Sequence, residues 1–350
     1  MTKPQFNLNQ LIRPNVKKLK PYSSARDEFK DTQKGMVFLD ANENPFETDV
    51  NRYPDPQQRD LKTTIAQQKN VNPNQLLLGN GSDEVLDLLF RSFCIPGIDN
   101  CITLPPTYGM YDVLAQTNDV ENCKVLLDKY FNIRPKAILD VTDAHSKLLF
   151  ICSPNNPTGN VINEKAVVDL LLNFSGLVVI DEAYIDFTTS QSWIDKLDTY
   201  PNLVVIQTLS KAYGMAGVRL GMCFASPEII TVLNKIKPPY NVNQLTQHKA
   251  LQRIVKKEVI AQEVDEILKE RKRVVKELLK TPFIKTVYPS QTNFILAKVD
   301  DAQLRYNQLI DNGVVIRNRS TQALCENTLR FTVGTKTDND TLFNALKSIS

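Results

Sequence analysis

Three polar residues stand where apolar runs end. Asp181 closes GLVVID (176–181), Asn156 follows LLFICSPN (148–155), and Lys211 follows LVVIQTLS (203–210). In parallel α/β sheets, ligands bind beyond the carboxyl ends of the strands, so all three would face one crevice. A lysine and a carboxylate thirty residues apart could equally be a buried ion pair, and on these residues alone that alternative stays open. Other chemistry is scarce. The chain has two histidines, His145 and His248, no GxSxG elbow and no paired CxxC. A His-rich zinc centre and a Ser-His-Asp triad are therefore excluded, and no metal is expected.

The surroundings suggest what such a lysine could serve. A lysine that forms a Schiff base with pyridoxal 5'-phosphate needs an acidic partner for the pyridine nitrogen, which makes the ring an electron sink. Asn156 and Tyr184 (of DEAY, 181–184) could donate to the phenolic oxygen. A phosphate needs backbone N–H groups, hydroxyls and an arginine. GNGSDE (79–84) lies at a strand-to-helix turn, where helix N-terminal amides bind anions. Gly81, Ser82, Asp83, Ser210 and Arg219 are the candidates there, with Arg219 supplying a charge-assisted fork. GNGSDE also begins like a dinucleotide fingerprint, but Glu84 stands where the third glycine is required.

These groups need strands and helices to hold them. Apolar runs at 74–80, 100–104, 147–154, 176–181, 202–207 and 219–225 are separated by helix-sized spacers, which predicts buried strands of a mainly parallel sheet. SDEVLDLLFRSF (82–93) places Val85, Leu88, Leu89 and Phe93 on one helical face. KPPYNVN (237–243) is a plausible hinge. Beyond it, the spacing predicts one amphipathic helix over 255–280, then strands at 292–299, 313–317 and 329–334 with a helix around 301–311. The expected organisation is a large domain over 41–244. Residues 1–40 and 245–350 would form an N-terminal arm plus a small α+β domain, the arm folding back on the C-terminal tail or reaching a partner.

Composition sets the remaining limits. The chain has 350 residues, 42% apolar and 23% charged, with a net charge of +3. That charge is too small to argue for nucleic acid or an acidic membrane. No run of 18 apolar residues could span a bilayer, and MTKPQFNLNQ carries no apolar signal core. Six scattered cysteines fit reduced thiols in a cytoplasmic enzyme.

SPNNPTG (153–159), DEAY (181–184) and SKAYGMAGVRLG (210–221), in this order, resemble the signature set of fold-type I pyridoxal-phosphate-dependent aminotransferases. LKPYSSAR (19–26), LDANENPF (39–46), NRYPDP (51–56), KPPYNVN and LRFTVGT (329–335) resemble the histidinol-phosphate aminotransferase family more narrowly. The resemblance implies a Schiff-base lysine and proton carrier in Lys211, a pyridine-nitrogen partner in Asp181, and phenolic-oxygen partners in Asn156 and Tyr184. Tyr111 reads as a plain packing residue, whereas the resemblance implies an aromatic lid in Tyr108, of PPTYGMY. It further implies a homodimer in which Tyr53 reaches the other subunit's cofactor phosphate. Tyr22, Arg317 and Arg330, with Asn156, would hold the substrate; Arg319, two positions along the same expected strand, is a second candidate for the phosphate.

The implied reaction is transfer of an amino group between L-histidinol phosphate and 2-oxoglutarate. Threonine-phosphate decarboxylase and aromatic aminotransferase are alternatives on the same fold. A non-catalytic regulator would need an added DNA-binding domain, for which no room exists ahead of residue 40.

Overall fold

The computed structural model describes residues 6–22 and 36–349; the last four residues of the LKPYSSAR match lie outside them. The apolar runs form a seven-stranded sheet: β1 (Leu76–Asn80), β2 (Asn100–Thr103), β3 (Glu121–Lys124), β4 (Ser146–Cys152), β5 (Leu177–Asp181), β6 (Leu203–Thr208) and β7 (Leu220–Ala225). Their order is β1-β7-β6-β5-β4-β2-β3. The runs are continuous because helices cover both faces. Along β5, Val178 and Ile180 enter one core while Leu177 and Val179 enter the other; β6 alternates in the same way.

Strand direction decides where the polar residues go. β2 to β6 run parallel to one another, so β4, β5 and β6 all end at one edge. β7 is antiparallel to both β6 and β1. Because it runs backwards, β7 begins at the edge where β6 and β1 end, with Gly221 opposite both Thr208 and Gly79. Arg219, just ahead of β7, and the Gly81–Ser82 turn, just after β1, therefore meet at that edge.

A second sheet of β8 (Ile284–Val287), β9 (Phe294–Val299), β10 (Arg317–Asn318) and β11 (Thr328–Thr332) is antiparallel, in the order β10-β11-β9-β8. Helices Lys257–Leu278, Ala302–Asp311 and Lys336–Ser348 supply Val274, Leu278, Leu309, Leu342 and Leu346 to its core. The fold is the expected α/β architecture, a mainly parallel sheet with a smaller α+β unit.

Several elements differ from the sequence expectation. The helix expected over 255–280 is present as Lys257–Leu278, and a further helix, Gln244–Ile254, precedes it, the two separated at Lys256, whose backbone leaves the helical region at ψ 54°. Val255 and Val259, which fit the apolar stripe, stay exposed. The strand at 313–317 shrinks to Arg317–Asn318. Strand β3 has no apolar run to signal it, because ENCK is a partly exposed edge strand. The short helices Leu8–Leu11 and Pro14–Lys18 do not fold back on the C-terminal tail. Leu11 and Val16 enter the large-sheet core alongside Ile229, Ile230 and Leu233, and the Arg13 N–H donates to the Ser92 carbonyl.

Gly221 is required by the close approach of β7 to the turn after β1. A Cβ there would stand 2.3 Å from the Ser82 nitrogen and 2.4 Å from the Gly81 carbonyl carbon. Gly221→Ala should therefore push the turn away and destabilise the fold by about 1–3 kcal/mol, read as a lowered urea midpoint. An unchanged midpoint would show that the turn yields freely.

Candidate active site

Beyond the carboxyl ends of β4, β5 and β6 lies a crevice of about 380 Å³, lined by Asn156, Asp181, Tyr184 and Lys211 on the strand side. Ser82, Asp83, Tyr108, Ser210 and Arg219 form another wall, and Arg317, Arg319 and Arg330 close it from the small sheet. The residues singled out by their position at strand ends are thus together.

Asp181 is buried, which raises its carboxyl pKa; hydrogen bonds from the Tyr111 hydroxyl and the Ala183 amide oppose that rise. The Tyr111 hydroxyl donates to Oδ2 at 2.7 Å and the Ala183 N–H to Oδ1 at 3.1 Å. Tyr111 is fully buried, stacked on Phe150 with ring centroids 4.9 Å apart. The expectation of a plain packing residue is therefore half met: the ring packs, and the hydroxyl holds the carboxylate. The packing signal was legible, but nothing in PPTYGMY says which tyrosine points at β5.

The Lys211 side chain is half-buried. Burial and the nearby Arg330 lower its pKa, while Asp181 and Asp83 oppose the shift. Its ammonium lies 5.6 Å from the Tyr184 ring centroid. Tyr184 is buried, and burial raises its phenol pKa, so it remains a hydroxyl donor at neutral pH. Neighbouring Glu182 faces the other way. It accepts from Ser192, the Trp193 amide and Gln207, and fastens the loop behind the site.

The anion cradle starts at helix Ser82–Phe93, whose N-cap, Gly81, makes no side-chain cap. Its first amides are free to face a ligand. Arg219 occupies the left-handed region at φ 56°, a strained setting for a non-glycine residue. A Cβ on Gly81 would meet the Arg219 Nη2 at 2.6 Å, so the guanidinium lies directly over the turn. Asp83 accepts from the Tyr108 hydroxyl at 3.1 Å and pairs with Arg219 at 3.5 Å, which fixes both. Thr208 donates to Ser210 at 3.0 Å. The Arg330 Nη1 donates to the Asn156 Oδ1 at 2.6 Å, which leaves the Asn156 amide NH₂ to face a ligand oxygen.

Other candidate residues have different placements. Gly81 is beneath the cradle rather than in it, its N–H donating to the Arg219 carbonyl at 2.9 Å; its contribution is conformational, at φ 78°. In the SKAYGMAGVRLG turn, the residues with positive φ are Gly214 and Arg219. Tyr22 is 76% exposed and outside the crevice. Tyr53 also stands apart, stacked on Tyr240 at 4.4 Å and lining a separate surface hollow with Asn42, Glu43 and Val50. Among the described residues, no His, Cys, Asp and Glu cluster could hold a metal ion, and no helix is long and apolar enough to cross a membrane.

A half-buried lysine, a buried carboxylate on the next strand and an arginine over a helix N-terminus thus line one crevice. The chain belongs to the aminotransferase class I and II family, whose model matches residues 30–349. It is 59% identical over 346 residues to the histidinol-phosphate aminotransferase of Flavobacterium johnsoniae, across 99% of each chain. Its fold is similar, with a TM-score of 0.80, to the crystal structure of histidinol-phosphate aminotransferase from Clostridium acetobutylicum, at 26% identity over 86% of this chain and 91% of that one. The enzyme from Sinorhizobium meliloti, solved in complex with pyridoxal-5'-phosphate, matches with a TM-score of 0.79 at 22% identity, over 86% of this chain and 84% of that one. At that identity the likeness concerns the fold alone.

Tyr111→Phe keeps the ring stacking and removes only the donor to Asp181. Leaving a buried carboxylate oxygen without that partner should cost about 1.5–3 kcal/mol at neutral pH. Urea unfolding of the variant measures it, and an unchanged midpoint would show that this bond contributes nothing.

Proposed function

We propose that this chain transfers an amino group from L-glutamate to 3-(imidazol-4-yl)-2-oxopropyl phosphate, giving L-histidinol phosphate and 2-oxoglutarate, a step of L-histidine biosynthesis. The observation that carries this reading is the crevice itself: Lys211 and Asp181 at adjacent strand ends, facing guanidinium groups from the small sheet. The 59% identity to a histidinol-phosphate aminotransferase along the full chain supports the choice of substrate.

The residues fit pyridoxal 5'-phosphate, which supplies an electron sink for the electron pair at the substrate's α-carbon. Its phosphate would lie against the Ser82 and Asp83 amides, Ser210 and Arg219, and its phenolic oxygen against Asn156 and Tyr184. Tyr108 would cover the ring. Asp181 would accept a hydrogen bond from the protonated pyridine nitrogen, with Tyr111 keeping the carboxylate in place. Lys211 would hold the cofactor through its amine nitrogen until the substrate's amino group takes that place, and the released Lys211 amine would then move the proton at the substrate's α-carbon. Burial and Arg330 lower its pKa, which raises the fraction of neutral amine available as a base. Arg330 and Arg317 would grip the substrate phosphate. The two half-reactions alternate at one site, so the kinetics are ping-pong.

The remaining assignments complete this reading. The 41–244 unit carries the cofactor, and 245–350 carries the substrate's anion site. Val37, Leu39, Phe46 and Tyr53 are exposed along one segment. We assign that segment to a homodimer contact, through which Tyr53 reaches the other subunit's cofactor phosphate and Tyr22 the substrate. Free cysteines, five of the six buried, accord with a reducing cytoplasm.

Single-turnover reactions of the cofactor-loaded enzyme with L-histidinol phosphate, L-threonine phosphate and L-phenylalanine test the substrate. Spectral conversion with the first alone is expected, and carbon dioxide released from the second would favour a decarboxylase. Lys211→Ala should abolish turnover and the visible absorbance of covalently held cofactor; normal absorbance would remove Lys211 from that role. Arg330→Ala should weaken histidinol phosphate about thirtyfold, the equivalent of roughly 2 kcal/mol for one charge-assisted contact. Unchanged binding would point to another anion site.

A further inference from the structure

We propose that Arg319 is a third ligand of the substrate's anionic group, and that it makes the crevice prefer a phosphate monoester over a carboxylate. The inference rests on the reading that a phosphorylated amine is the substrate.

The placement comes from strand register. Arg317 is directly opposite Arg330 in the β10–β11 pair. The pairing continues past β10, with the Arg319 N–H donating to the Thr328 carbonyl at 2.9 Å. Directly opposed residues of an antiparallel pair share a face, as do residues two apart on one strand. Arg317, Arg319 and Arg330 therefore leave the same face, and all three line the crevice. Arg317 is exposed at its mouth, while Arg319 and Arg330 are half-buried.

Their charges have no counterpart. Among the described residues, none of the three pairs with a carboxylate. The Nε atoms of Arg319 and Arg330 are both buried without a hydrogen-bond partner. Burial, with the charges of Arg330 and Arg317 adding to it, brings the Arg319 guanidinium down to about 10. Two converging, desolvated cations with unused donors are unfavourable in the empty crevice and are relieved when an anion enters.

The number of donors identifies which anion. A carboxylate offers two oxygens in one plane, which a single guanidinium fork satisfies. A phosphate monoester offers three terminal oxygens and close to two negative charges at neutral pH. The Arg330 fork serves the α-carboxylate of glutamate; for a phosphate, Arg317 reaches one oxygen from the exposed mouth, and the oxygen on the inner side falls to Arg319, whose buried Nε has no other partner. A different role for Arg319 would be to support Tyr184, whose phenol it also influences.

Arg319→Gln in the cofactor-loaded enzyme separates these roles when the two half-reactions are measured apart. The apparent affinity for histidinol phosphate should fall about tenfold relative to that for glutamate. Inhibition of the glutamate half-reaction by inorganic phosphate should weaken in parallel, and Arg319→Lys, which keeps the charge but loses the fork, should recover part of both. The absorbance-versus-pH curve of the bound cofactor should stay in place. Equal losses with both substrates, or a shifted curve, would assign Arg319 to Tyr184 and overturn the proposal, as would unchanged histidinol phosphate binding. If the wild type does not convert histidinol phosphate, yet inorganic phosphate inhibits it and Arg319→Gln relieves that inhibition, the substrate reading fails and the anion site stands.

Discussion

Keeping a carboxylate buried at the end of β5 is the constraint on which the site depends. A desolvated Asp181 would rather be neutral, and burial is the largest influence on it. Its ionised form is favoured only by what surrounds it: the Tyr111 hydroxyl, the Ala183 amide and the positive charge of Lys211. Each comes from a different part of the chain. The sheet must bring β5 and β6 into register, and the helix Met110–Thr117 must deliver Tyr111 beneath the strand ends. Packing in the sheet core thereby sets an electrostatic condition in the crevice.

The crevice is also polarised. Carboxylates gather on the large-sheet side, where Asp83 and Asp181 are found, while the small sheet presents only guanidinium groups. Lys211 lies between these poles and feels both, with burial and Arg330 lowering its pKa and Asp181 and Asp83 raising it. Burial is the largest of these influences, and the neighbouring charges act on top of it.

Much of this was legible in the sequence because it is local. An apolar run followed by Asp, Asn or Lys marks a strand end whatever the rest of the chain does, so Asp181, Asn156 and Lys211 could be placed in one crevice from spacing alone. The same logic found Ser82, just after β1, whereas Arg219 was reached from the phosphate's need for an arginine and from the resemblance of SKAYGMAGVRLG. What stayed hidden depends on pairings between distant segments. The reversed direction of β7, which brings Arg219 back to Ser82, has no local signature, since LGMCFA reads the same in either direction. Tyr111 and Tyr108 are three residues apart in PPTYGMY, and only the packing of the helix Met110–Thr117 and the turn before it separates the donor to Asp181 from the residue lining the crevice. The polar edge strand β3 and the helix Gln244–Ile254 escaped for the opposite reason: periodicity sees apolar patterns, and ENCK and QLTQHKALQRI carry too few apolar residues to show one.

The reversed strand has a further consequence for how the site opens and closes. β6 and β7 form a hairpin, and the loop joining them, residues 209–219, starts near Lys211 and finishes at Arg219. Lys211 and Arg219 are thus carried by one supersecondary unit, whereas Asp181 and Asn156 belong to its neighbours. A local excursion that frays the hairpin at this edge would loosen both basic residues in a single cooperative event while the acidic floor stayed folded. Retention of a ligand at this edge is then tied to the opening free energy of one hairpin, and amide exchange across 209–221 would report it.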